Sequence, residues 1–451
     1  MIKQMSIKGF RGFGQAQTVD FSIPNGNYGS GINIIVGANN SGKSTIIESI
    51  KAFNGDCSFS EGKRNVKTAQ RIELKMIDEN NCQHVIRTIQ SGGSQVEYEN
   101  RADLHAYILP SRRYVDYEFT RSKWSRDTFT SNQTLNNRTY GINQFYTRLF
   151  SMIDHKNEID GILRKILGAS VDWTIEQQDN GKYYVKFTFA GVSHSSEGVG
   201  DGLWSILTIC DAIYDSQENG VVVIDEPELS LHPAYQKRVL NILLEYAKTR
   251  QIIISTHSPY FINWQSIVNG GALIRCQKLP NGNIQIGCLQ ENTKQKLNGL
   301  IRNLNNPHIL GLDANEVFFL EDNVIVTEGQ EDVIFYNKAM VDNNTAIIGN
   351  FYGWGAGGAN NEQTILSLLQ DLGYKKVVAV FDGDKAALAE EVRRQFPAYK
   401  CIVLPRNDIR DKNIAAKNVE GIMTHDGQVK TDYVEWFVSG FVEQINTYFQ
   451  S

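Results

Sequence analysis

The residues best suited to chemistry begin with Gly37, Asn39, Asn40, Ser41, Gly42, Lys43, Ser44 and Thr45. Their spacing, G-x-x-x-x-G-K-[ST], is that of a phosphate-binding loop. In such a loop glycines let the backbone curl until successive N–H groups point at phosphate oxygens. Lys43 is then placed to reach the β- and γ-phosphates of ATP, and the Ser44 hydroxyl to hold Mg²⁺. Two acids, Asp225 and Glu226, end the apolar run 221–224. Downstream of a phosphate loop, such a pair suits cation coordination by Asp225 and orientation or deprotonation of an attacking water by Glu226. His257 follows a second apolar run, 252–254, and Ser255-Thr256. A neutral imidazole there could hydrogen-bond the γ-phosphate or the water, although a lone histidine is more often structural.

A second acidic constellation has no phosphate loop in front of it. Glu328 ends the run 324–327, Asp332 lies four residues on, and Asp382-Gly383-Asp384 ends the run 377–381. Asp-Gly-Asp by itself reads as a solvated turn. With a glutamate-ended strand upstream, the carboxylates converge on one sheet edge, which is what Mg²⁺ or Mn²⁺ requires. One or two such ions can stabilise charge on a phosphodiester in transition.

The elements that must hold these residues are legible as strand–loop–helix units. Apolar runs at 32–36, 221–225 and 252–256 read as buried parallel strands, with helices over 43–50, 203–214 and up to about 248. Strands are expected at 5–10 and 18–23, a hairpin at 71–77 and 83–89, and a short strand at 107–109 before Pro110. Arg11, between the first two strands, has two readings: reach to a nucleotide, or a solvated loop arginine. From about 115 to 140, Arg121, Lys123, Arg126 and Arg138 mix with Trp124, Phe129 and Tyr140 without a period. That stretch reads as a long loop that is either solvated or in contact with DNA. Helical periodicity over 145–167 and a hairpin around Asp179-Asn180-Gly181 follow. Together they suggest an insertion over about 115–170 and a possible dimerisation arm. Farther on, strands at 324–327, 346–348, 377–381 and 401–404 alternate with helices to about 340, over 363–372 and over 385–396, a small parallel α/β domain.

The totals fit this picture. A chain of 451 residues implies two or three domains. Net charge is −5, so any basic nucleic-acid surface must be local. Six scattered cysteines without C-x-x-C spacing read as thiols of a reducing cytosol. No apolar stretch reaches the length of a membrane span and the N-terminus lacks a signal-peptide core, so a cytoplasmic location is expected.

In order, these motifs resemble the ABC-type ATPase heads of the repair and chromosome-maintenance families. Lys43 and Ser44 match their Walker A, Asp225 and Glu226 their Walker B, 230–233 their D-loop, and His257 their switch histidine. Residues 195–202 match their signature loosely. The resemblance implies two ATP molecules held between two heads, hence a homodimer or higher oligomer. Glu328 and Asp332 match the E-x-x-x-D, and Asp382 and Asp384 the D-x-D, of a TOPRIM domain. A head at 1–316 followed by TOPRIM at 317–451 is the architecture of the OLD (overcoming lysogenisation defect) nucleases. That family also uses a further acid and a lysine near the C-terminus. Here 407–413 departs from its pattern, and Lys412 is the lysine it offers, with Lys417 and Glu420 beyond. The compact length is similar to forms found beside other genes in phage-defence systems, including retrons, which implies a reverse transcriptase and its DNA–RNA hybrid as partners.

The expected fold class is therefore α/β, an ABC-type ATPase head with a helical insertion before a small parallel TOPRIM domain. The expected function is an ATP-binding and ATP-hydrolysing, metal-dependent DNA endonuclease of phage defence. The alternative is an ATP-driven DNA clamp or sensor whose TOPRIM domain binds metal or a partner without cutting. A topoisomerase or primase shares the acid chemistry, but no segment reads as a separate domain bearing an active-site tyrosine.

Overall fold

The computed structural model describes residues 1–451 except 56, 58, 60, 66–69, 90–94, 112, 114–117, 132–144, 190, 302–309, 320–321 and 415–416. It forms two compact units, Met1–Cys288 and Leu289–Ser451. In the first, strands run in chain order β1 (Ile2–Lys8), β2 (Gln17–Asp20), β3 (Ile32–Val36), β4 (Glu73–Asp78), β5 (Gln83–Thr88), β6 (Val96–Glu99) and β7 (Ala106–Leu109). There follow β8 (Asp172–Gln177), β9 (Tyr183–Phe189), β10 (Val192–Ser195), β11 (Val221–Asp225), β12 (Gln251–Ser255), β13 (Ala272–Lys278) and β14 (Ile284–Cys288). An antiparallel sheet has the order β2-β1-β4-β5-β6. The central sheet has the order β14-β13-β3-β12-β11-β7 and is parallel except for β14.

The continuous burial of β3, β11 and β12 explains their unbroken Ile/Val runs, since a parallel strand is covered on both faces. Helix α1 (Lys43–Phe53) supplies Ile46, Ile47 and Ile50 to a core shared with Met5 and Ile7 of β1 and with Ile35, Val223 and Ile253 of the central sheet. The next helices are α2 (Arg126–Ser131), α3 (Tyr146–Met152), α4 (Lys156–Leu167), α5 (Asp201–Tyr214), α6 (Pro233–Tyr246) and α7 (Trp264–Val268).

Helix α4 packs on α5 and α6 and buries Ile159, Ile162, Leu163 and Ile166, each such burial being worth roughly 1.5–3 kcal/mol before entropy. Three residues of the basic–aromatic stretch have partners within the same unit. Arg126 lies 4.0 Å from the centre of the Tyr107 ring and donates to the Ala212 carbonyl. Lys123 pairs with Asp154, and Phe129 is buried against Tyr107. Arg138 and Tyr140 lie outside the described residues.

The second unit contains α8 (Glu291–Ile301), β15 (Val324–Thr327), α9 (Gln330–Asp342), β16 (Asn350–Phe351), α10 (Ala359–Asp371), β17 (Val377–Phe381), α11 (Ala386–Gln395) and β18 (Lys400–Val403). Its four-stranded sheet is parallel with the order β16-β15-β17-β18. Compared with the expected division after residue 316, the units part earlier. Helix α8 packs on α10, with Lys296 Nζ 3.3 Å from Ser367 Oγ, which draws the segment after Cys288 into the second unit.

The expected strand at 346–348 is displaced. Pairing begins at Asn350 opposite Val324, while Ile348 is half exposed and its N–H is held by the Asn446 side chain at 2.7 Å. Apolarity there marks a connection and not a sheet register. Among the described residues no helix is long and apolar enough to cross a membrane.

Candidate functional sites at two sheet edges

In the first unit the candidate residues lie at the carboxyl ends of adjacent strands, where open parallel sheets bind ligands. The order β3-β12-β11 places the loop 37–42, His257 and the Asp225–Glu226 pair side by side. Gly37 has φ 143°, and a Cβ there would sit 2.2 Å from the Cys276 carbonyl oxygen. Gly42 (φ 106°) caps α1 without a side-chain hydrogen bond, leaving first-turn N–H groups for an anion. Lys43 is buried, and its Nζ donates to the carbonyls of Gly37 (2.8 Å) and Ala38 (3.1 Å). Burial lowers its pKa, opposed by the charges of Cys276, Glu226, Asp225 and Glu228. The Ser41 hydroxyl is buried with no hydrogen-bond partner. An uncapped helix start, a buried ammonium and an orphaned hydroxyl fit a nucleotide phosphate. Asn39 and Asn40 are exposed, Ser44 is half-buried and Thr45 is buried. Arg11 pairs with Glu48 of α1 at 3.0 Å.

Asp225 accepts a hydrogen bond from Ser255 Oγ, its register partner on β12. Glu226 turns the chain sharply with φ 49°. His257 Nε2 lies 3.8 Å from Glu226 Oε1. Burial, then the Lys43 charge, lowers the imidazole to about 4, so it is neutral near pH 7 and can share a hydrogen bond without forming an ion pair. Glu228 accepts from Thr256 Oγ1 (2.8 Å) and from the His257 N–H (2.5 Å), fastening one strand end to the next. The segment 195–202 is mostly exposed and leads into α5. Gly202 comes so close to Ser230 that a Cβ would lie 2.6 Å from its carbonyl oxygen.

In the second unit, Glu328 and Asp382 follow β15 and β17, which are hydrogen-bonded neighbours. The connection from β15 goes outward to β16 and the chain then returns to β17 on the other side. That reversal is a switch point, and the crevice lies between the two strand ends. A glycine-rich loop closes over the first of them. Ala356 N–H bonds the Thr327 carbonyl and Gly358 N–H the Glu328 carbonyl, both at 2.8 Å. This loop brings α10 in, with Glu362 fully buried and neither carboxylate oxygen hydrogen-bonded. Glu328 Oε2 is also buried and without a partner.

Burial raises Asp382 to about 8, with Asp332, Asp408, Glu328 and Asp384 adding repulsion. Burial raises Asp332 to about 7; the Gly329 N–H (2.8 Å) and Lys412 oppose this, and Glu328 and Asp408 add to it. Glu362 is raised well above the carboxylate range by burial and by Glu328, Asp332 and Asp382. Asp384 turns toward Lys385 at 2.9 Å. Lys412 bridges buried Asp408 (2.8 Å) and Glu331 (3.0 Å). Glu420 is exposed and pairs with Arg406, and the Lys417 side chain is outside the described residues.

Mutually repelling acids with orphaned oxygens fit a divalent cation. Among the described residues no three His, Cys, Asp or Glu side chains are drawn together as a metal cage.

Sequence reasoning missed Arg113, Glu228, Glu362 and Asp408 as parts of these sites. A signal existed for Glu362: it shares a helical face with Ile365, Leu366 and Leu369, a charge on a buried stripe. Nothing distinguishes Arg113 from Arg112 beside it.

Two family models match the chain: "AAA domain" over residues 4–180, and "AAA domain, putative AbiEii toxin, Type IV TA system" over residues 142–263. The first spans Lys43, the second Asp225, Glu226 and His257, so the first unit carries ATPase-type sequence that implies ATP binding and hydrolysis. Septu protein PtuA of Bacillus thuringiensis is 25% identical over 326 residues, 62% of this chain and 79% of that protein. OLD nuclease of Thermus scotoductus is 32% identical over 133 residues, 27% of this chain and 24% of that protein. Among solved structures, the SMC head bound to the C-winged helix domain of ScpA has TM-score 0.43 at 15% identity, covering 64% of this chain and 98% of that one. The SMC head domain from Thermotoga maritima has TM-score 0.37 at 15% identity, covering 64% and 99%.

Proposed function

We propose that the chain is an ATPase whose second unit is a TOPRIM-type, metal-dependent endonuclease acting on DNA. What supports the proposal is that Glu328 and Asp382 follow hydrogen-bonded neighbour strands, and that Glu328 and Glu362 have buried carboxylate oxygens that no protein group satisfies. In the first unit Lys43 and the first-turn N–H groups of α1 bind and orient the ATP phosphates. Ser44 and Asp225 would hold Mg²⁺. Glu226 takes the proton from, or aligns, the attacking water, and neutral His257 holds a hydrogen bond at the same place. In the second unit Glu328, Asp332, Asp382 and Asp384 would hold Mg²⁺ or Mn²⁺, which when bound supplies Lewis acidity at a phosphodiester. Lys412 stands beside Asp408 as the cation able to face a phosphate once its ion pairs open.

ATP turnover in this reading gates assembly of two copies, each completing the other's site, in the cytoplasm. Defence against phage is the setting implied by the OLD resemblance and supported by the likeness to an OLD nuclease. A retron partner belongs to the same reading, and a reverse-transcriptase gene beside this one would support it.

Incubation of plasmid with the purified chain and Mg²⁺ or Mn²⁺ tests the proposal. Nicking or linearisation by wild type and its loss in Asp382→Ala and Asp384→Ala are expected; equal cutting by those variants would refute the assignment.

A second reading has its own support. Asp332 caps α9 through Gly329, Asp384 faces Lys385, and Lys412 is held in two ion pairs. Those engagements favour a clamp or sensor that binds metal or a partner without cutting. Cleavage by the pure protein would reject it.

A further inference from the structure

Arg113 lies just after β7, buried to 8% exposure. Its Nη2 donates to the backbone carbonyls of Asp225 (2.8 Å) and Glu226 (3.0 Å), and Nη1 to the Glu226 carbonyl (3.3 Å) and to Ser205 Oγ of α5 (3.2 Å). The two carbonyls belong to the peptide planes on either side of the Glu226 Cα. A planar guanidinium that grips both planes fixes φ and ψ of that one residue. Glu226 needs such a restraint. Its φ of 49° is left-handed, a conformation costing a non-glycine residue roughly 1–2 kcal/mol.

We propose that Arg113 is a positioning residue for ATP hydrolysis: it pins the strained turn that aims Glu226 and ties that turn to α5, the helix entered from the exposed 195–202 segment. The proposal rests on the reading of the first unit as an ATPase and goes beyond it, because Arg113 reaches the site only through the backbone carbonyls of Asp225 and Glu226 and the Ser205 hydroxyl. Lysine cannot replace the fork. An ammonium offers one donating point where two divergent carbonyls and a hydroxyl are to be held. Burial opposes the charge, lowering Arg113 to about 10, while Asp225, Glu228 and Glu226 favour it.

The test uses the full chain with Arg113→Lys and Arg113→Gln. ATP affinity is measured by titrating a fluorescent ATP analogue, and kcat is expressed per nucleotide-binding site so that unfolded protein does not count. Expected are a dissociation constant and KM within about twofold of wild type and a kcat at least tenfold lower, with Lys retaining more turnover than Gln. A tenfold fall in kcat is about 1.4 kcal/mol of lost transition-state stabilisation. An unchanged kcat per site would overturn the proposal. So would parallel loss of affinity and kcat, which marks a merely structural residue. Wild type that binds ATP without turning it over would instead overturn the ATPase reading, and this inference with it.

Discussion

Glu362 sets a carboxyl on the buried apolar stripe of α10. Its carboxyl sits in a fully buried position facing Glu328, Asp332 and Asp382. An acid raised by folding stabilises fully below its unfolded value near 4 and loses that contribution as pH climbs through its folded value. For Asp332 and Asp382 the folded values are about 7 and about 8. Cation-free protein should therefore lose stability in the second unit between about pH 4 and pH 8, and a bound cation should replace the lost protons. Melting curves in chelator at pH 5, 6.5 and 8 check this; a flat profile would contradict it. Glu362→Gln should stabilise the cation-free protein at pH 8 by about 1–3 kcal/mol, because a neutral amide of the same size replaces a buried carboxyl that must take up a proton or bury a charge at that pH. Destabilisation in the same assay would mean that Glu362 has a partner in solution. Lys43, Asp225 and Glu328 were legible because they end or open apolar runs. Arg113 was not, since its contacts with Ser205, Asp225 and Glu226 are made across long stretches of chain; Asp408 lies in 407–413, whose pattern departs from the family's.

At the scale of elements, periodicity and punctuation carried most of the information. The phosphate loop lies between β3 and α1, and the Asp179-Asn180-Gly181 turn joins β8 to β9. Strand ends located both acid pairs. Two elements escaped. The run 346–348 is apolar without pairing, and the amphipathic stripe of α4 could not say which neighbour it covers; the structure lays it on α5 and α6. The glycine-rich loop between β16 and α10 closes over the end of β15. Gly37→Ala probes the other tight loop. Its φ of 143° and the Cys276 carbonyl 2.2 Å from the added Cβ force the loop open, at a cost of about 1–3 kcal/mol or more. ATP affinity should fall at least tenfold, and unchanged binding would show that the loop is not the nucleotide cradle.

For the whole molecule, the account rests on two separate sites in two compact units, one turning over a nucleotide and one holding a cation against a nucleic-acid strand. Loss of the Glu226 carboxylate should stall the first site after binding. Glu226→Gln with ATP and Mg²⁺ should then move in light scattering toward twice the 50.8 kDa chain mass, and normal ATP turnover by that variant would contradict the role. The central claim is met most directly by calorimetric titration of Mn²⁺ into nucleotide-free Lys43→Ala, with and without Asp382→Ala. Lys43→Ala takes nucleotide out of the first site, and the Mn²⁺ binding lost on adding Asp382→Ala reports the second. Binding that persists in Lys43→Ala and weakens at least tenfold when Asp382→Ala is added is the predicted result; equal Mn²⁺ affinity in the two proteins would contradict the account.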